Sequence, residues 1–112
     1  MRYPLPGRRI ELLAKKLDGE IIRQSTSQFS QTASIRYKEY SIGIICYKGM
    51  GCQADIFVKD TTGSKLVAEC KGACYVLTHY KKVVDDVKHI AYTMNEAGIP
   101  NEFCKKWRVE VI

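Results

Sequence analysis

The stretch Gln53-Ala-Asp-Ile-Phe-Val-Lys-Asp-Thr-Thr-Gly-Ser-Lys-Leu-Val-Ala-Glu-Cys-Lys71 decides the reading of this chain, because its turn residues fix which side chains share a face. Two β-rich runs, 53–59 and 65–71, flank a segment rich in turn formers. Thr61, Thr62 and Gly63 fit a three-residue hairpin connection, a type I turn whose third residue is left-handed, and Asp60 suits the turn's first position. In that register Asp60 pairs with Ser64, and Asp55 lies directly opposite Glu69. Lys71 stands two residues beyond Glu69 on the same face, since strand side chains alternate with period two. Phe57 and Val67 lie between them on that face. The other face collects Ala54, Ile56, Val58, Leu66, Ala68 and Cys70, all apolar, as a surface packed against a helix requires.

Two carboxylates with Cβ atoms roughly 5 Å apart repel one another unless a cation sits between them. Hard oxygen ligands on a rigid sheet suit Mg²⁺ or Mn²⁺, leaving coordination positions for water and a phosphate oxygen. Such a metal lowers the pKa of bound water and stabilises charge in the transition state of phosphodiester hydrolysis. Lys71, a compact cation beside that water, keeps it deprotonated or neutralises developing negative charge.

Working outward, Pro6 and Gly7 open a segment in which Ile10, Leu13, Ala14 and Leu17 recur at helical spacing, and Asp18-Gly19 closes it. Residues 20–24 read as a strand, and the Ser/Thr/Gln-rich stretch 25–34 reads as a loop. Residues 40–47 are β-rich, with a turn at Lys48-Gly-Met-Gly51. A long helix is expected from about His79 to Ala97, with Thr78 as N-cap, Gly98 at C′ and Pro100 beyond. Tyr80, Val83, Val84, Val87, Ile90, Ala91 and Met94 form its apolar stripe. A last strand at 107–112 completes the order α-β-β-β-β-α-β, an α/β class with a mixed sheet and helices packed on it.

At 112 residues, 46% hydrophobic and 27% charged, the chain has the balance of one globular domain covering 1–112. Eighteen Lys and Arg against twelve Asp and Glu leave a net charge of +6, a bias toward polyanionic partners. No window approaches the roughly 20 apolar residues that span a bilayer, so no membrane partner is expected. The first residues lack the apolar core of a secretion signal, and a reducing, cytoplasmic compartment is the default. The five cysteines, Cys46, Cys52, Cys70, Cys74 and Cys104, cannot all pair within one monomer. Buried apolar thiols, four thiolates on Zn²⁺, and intracellular disulfides of the thermophilic kind remain the alternatives.

On Ala54-Asp55-Ile56 followed by Glu69-Cys70-Lys71, preceded by Gly7-Arg-Arg-Ile-Glu11-Leu-Leu and Ile21-Ile-Arg-Gln-Ser25, the chain resembles the PD-(D/E)xK nuclease superfamily. Within it the likeness is greatest to the small archaeal Holliday junction resolvases. Ala54 stands where the motif has proline, which leaves the metal-binding carboxylate untouched. The resemblance implies a restriction-endonuclease-like fold and a Mg²⁺-dependent DNA endonuclease acting in recombination and repair. It implies branched or double-stranded DNA as substrate, and a homodimer. By the same resemblance Glu11 adds a carboxylate to the metal site, Ser25 or Ser27 lies near the scissile phosphate, and Asp55, Glu69 and Lys71 form the catalytic core.

Arg8, Arg9, Arg23, Lys81 and Lys82 are the further candidates for substrate phosphates, contacts that position DNA without reading its sequence. His79 and His89 fall on the first turn and polar side of the expected helix and read as ordinary. Cys70 faces away from Glu69 and Lys71 and reads as core. Two other functions compete: a non-catalytic basic nucleic-acid-binding module with structural carboxylates, and a small interaction protein organised by cysteine-bound zinc.

Overall fold

The computed structural model describes residues 6–47, 51–61, 63–71, 75–100 and 106–112. Helix α1 (Pro6–Leu17) leads into six strands: β1 (Glu20–Thr26), β2 (Ser30–Tyr37), β3 (Tyr40–Tyr47), β4 (Gly51–Asp60), β5 (Gly63–Lys71) and β6 (Tyr75–Thr78). A 3₁₀ turn (Lys81–Val83), helix α2 (Val84–Glu96) and β7 (Arg108–Val111) follow. The strands form one sheet in chain order, antiparallel from β1 to β6, with β7 parallel to β6. The α2 crossover supplies that parallel pairing, which no tight turn can make.

Ile10, Leu13, Ala14 and Leu17 of α1 are buried, as their spacing predicts. They share one core with Val87, Ile90, Ala91 and Met94 of α2 and with Ile35, Ile42, Ile44, Ile56, Ala68, Cys70 and Val76 of the sheet. The strand residues of this core all belong to one face, so both helices lie on the same side. The other face carries no helix among the described residues.

Two strands depart from the expected order. The polar stretch 25–34 is not a loop: β1 continues through Thr26, and β2 begins at Ser30. Its serines and threonines occupy the uncovered face while Ala33 and Ile35 are buried, so alternation survives with few apolar residues. Ser27 shapes the connection, its Oγ accepting from the N–H groups of Phe29 (3.3 Å) and Ser30 (3.1 Å). The second departure is β6, which occupies the approach to the expected long helix. Thr78 therefore does not cap α2. It ends a strand fully buried, and its Oγ1 accepts from the Tyr80 N–H at 3.3 Å. At the other end of α2, Gly98 takes the expected C′ position with φ +76°, and its N–H bonds to Asn95 while that of Ile99 bonds to Met94.

The turn of the decisive hairpin also differs in detail. Asp60 pairs with Gly63 and Lys59 with Ser64, so only Thr61 and Thr62 separate the strands, and Gly63 takes φ +121°. A β-bulge between Ile56 and Phe57 then absorbs one extra residue of β5, Val67, after which Ile56 pairs with Ala68 and Asp55 with Glu69. The shorter turn and the bulge cancel. Val67 is consequently core, at 3% exposure, and Leu66, paired with Phe57, joins the uncovered face in its place. The turn residues 48–50 lie outside the described residues.

The cysteines divide. Cys46 and Cys52 are directly paired across β3 and β4 and form a disulfide, whereas Cys70 is a free, buried thiol. Cys74 and Cys104 lie outside the described residues. No described helix is long and apolar enough to cross a membrane.

Candidate active site

Because Ala54 and Ile56 point into the core, Asp55 between them stands on the uncovered face, and pairing places Glu69 directly opposite. Asp55 is exposed and Glu69 half-buried. Continuing the pairing across the sheet gives one row, Arg23, Ser34, Gly43, Asp55, Glu69, Leu77 and Glu110. Gly43 contributes no side chain to this row. A hollow of about 240 Å³ opens there, lined by Thr32, Gly43, Ile45, Gln53, Asp55 and Phe57. On the other side of the pair lies a hollow of about 250 Å³, lined by Leu66, Glu69, Leu77, His79 and Ile112 among others. The two carboxylates thus form a ridge between two concave surfaces.

Neither acid is without a partner. The charge of Asp55 is felt through the sheet: the Cys70 thiol is pushed up to about 12, first by burial and then by the neighbouring carboxylate. Lys71 follows two residues after Glu69 and pairs with Tyr75; its side chain lies outside the described ones. Among the described residues no three His, Cys, Asp or Glu side chains gather around one point. Asp55 and Glu69 are the two described side chains of this ridge that could hold a cation, and Mg²⁺, which keeps several waters, accepts as few as one or two carboxylates.

The remaining predicted residues separate into two groups. Arg23 and Ser25 share the uncovered face, in rows that reach Asp55 and Gln53 respectively on β4. At about 4.8 Å per strand, Arg23 lies roughly 14 Å from Asp55 across the sheet. Ser27 is engaged in the β1–β2 turn. Arg8, Arg9 and Glu11 belong to α1, on the covered side, with Glu11 exposed and Arg9 packed beside Gly98 at the end of α2. The sheet separates Glu11 from the Asp55–Glu69 pair. Lys81 and Lys82 lie on the 3₁₀ turn before α2, as the sequence places them near a helix start, but β6 stands between that turn and the strand of Glu69 and Lys71.

The sequence places His79 as an ordinary residue in the first turn of a helix. It instead follows β6, two residues past Leu77, and lines the same hollow as Glu69. The β-branched and aromatic run Tyr75-Val-Leu-Thr78 was the available signal, outweighed by the helical spacing that begins at Tyr80. No family model, curated protein or solved structure matches this chain.

Proposed function

We propose that the chain is a metal-dependent endonuclease that hydrolyses phosphodiester bonds in DNA, with a restriction-endonuclease-like core. The observation that carries this reading is the placement of Asp55 opposite Glu69 on a sheet face with hollows on both sides. Asp55 and Glu69 would hold Mg²⁺ or Mn²⁺, which when bound activates water and neutralises charge on the phosphate. Lys71 adds a cation to the same strand, and Arg23 and Ser25 extend the surface along which a backbone phosphate is held. The order helix, antiparallel strands, helix, then a strand parallel to its neighbour supports the core assignment, although β6 separates the strand of Glu69 and Lys71 from α2. Branched DNA is the substrate this reading favours, in recombination or repair in the cytoplasm. One catalytic face per chain makes a homodimer the form that cuts two strands.

A second reading, a non-catalytic basic nucleic-acid-binding module, is favoured by one observation: Glu11 lies on α1, across the sheet from Asp55 and Glu69. Incubating the protein with branched, nicked, single-stranded and linear DNA, with Mg²⁺ and with EDTA, separates the two. Cleavage that needs Mg²⁺ and falls at least about 100-fold in Asp55→Ala and Glu69→Ala, with unchanged circular dichroism, is the expected result. Undiminished cleavage by both variants refutes the site, and binding without cleavage by the wild type selects the second reading.

A further inference from the structure

A cavity of about 380 Å³ lies at the other end of the β4–β5 hairpin, beneath the start of α2. Three lysines converge on it: Lys59 from the end of β4, Lys65 from the start of β5 and Lys82 from the 3₁₀ turn. Among the described residues neither Lys59 nor Lys82 has an ion-pair partner. The Lys65 ammonium sits 4.0 Å from the centre of the Tyr80 ring, a contact that places the charge without cancelling it. Two acids share the wall: Asp86 accepts from Tyr40 Oη at 2.5 Å, keeping its charge, and faces Lys38 at 3.9 Å, which offsets it in part. Glu39 is the other. Three lysines against two acids, one of which Lys38 also offsets, leave this concave surface with an excess of positive charge that favours an entering anion. Val58, Val67 and Val83 provide those walls, and the volume lies within the range of small-molecule sites.

We propose that this cavity binds a small phosphomonoester with an apolar or aromatic body, of the mononucleotide class. The phosphate meets Lys59, Lys65 and Lys82, each acting as a point charge, while the body rests on Val58, Val67 and Tyr80. The site is separate from the Asp55–Glu69 pair and does not depend on the nuclease reading. Calorimetric titration of the full chain with AMP, adenosine and inorganic phosphate tests it. AMP is expected to bind at least about ten-fold more tightly than either fragment, because each supplies only one half of the recognition. The double variant Lys59→Ala/Lys82→Ala should weaken AMP at least about ten-fold, Lys59→Arg/Lys82→Arg should retain it, and Asp55→Ala should leave it unchanged. Both lysines are exposed, and thermal melting of each variant verifies folding. Adenosine or phosphate binding as tightly as AMP, or the folded alanine variant binding AMP like the wild type, overturns the proposal.

Discussion

Cys70 and Asp55 sit on diagonally adjacent positions of one hairpin, yet one is in the core and the other in water. The thiol's ordinary value of 9.0 rises to about 12 in the folded chain, with burial as the leading cause. Above pH 9 the unfolded chain releases this proton while the native chain holds it, so stability declines between about pH 9 and 12. Tyr40, whose hydroxyl burial and Asp86 also hold protonated, adds its share from its ordinary value of 10.0 upward. In urea melts from pH 8 to 11, Cys70→Ala should flatten the portion that begins near pH 9; an identical decline in both proteins contradicts this. Asn95 is a second residue with a defined load. Its Nδ2 donates to the Trp107 carbonyl at 3.1 Å and its Oδ1 accepts the Trp107 N–H at 2.5 Å, tying α2 to the entry of β7. Asn95→Ala should cost about 1–3 kcal/mol, since it strands two partly buried backbone groups, and a shift in the urea midpoint measures it.

Among elements, the β4–β5 hairpin is legible in the sequence because turn formers and alternation both constrain it, while the pairing of Asp55 with Glu69 arises in the fold from two compensating departures. A two-residue turn shifts the register by one, and the Val67 bulge shifts it back. Composition carries no mark of such a bulge, since Val67 suits either face. Deleting Val67 should leave Asp55 opposite Glu69, because Leu66 and Ala68 already pair with successive residues of β4. On the proposed nuclease reading, Mg²⁺-dependent cleavage then persists in this variant, while stability falls by about 1–3 kcal/mol from the lost buried side chain. Loss of cleavage in a variant that still folds would show that the bulge itself aims the acids. β2 escaped notice for another reason: its neighbours on both sides supply the backbone partners, and Ser, Thr and Gln satisfy a face that needs no apolar cover. β6 was absorbed into a helix whose true start, after a 3₁₀ turn, has no side-chain cap to announce it.

At the scale of the whole molecule, the net charge of +6 biases the chain toward polyanions, and the proposed function sets DNA on the sheet face that no described helix covers. If DNA lies there, its affinity should fall with salt, by a slope of about −0.9 in log–log form for each phosphate contacted. A slope near zero would sink the phosphate contacts assigned to Arg23 and its neighbours. The Cys46–Cys52 bond closes a short loop, and reducing it should lower stability by about 2 kcal/mol on chain entropy. Among the described residues β1 and β7 are the two edges of the sheet, with no further strand beside either. On β1 the ladder skips Ile22, a kink that leaves this rim poorly matched to a flat partner strand. Removing Ile22 would straighten the rim and offer neighbouring molecules a template, and the expected price is turbid, fibre-prone solutions at concentrations where the wild type stays clear.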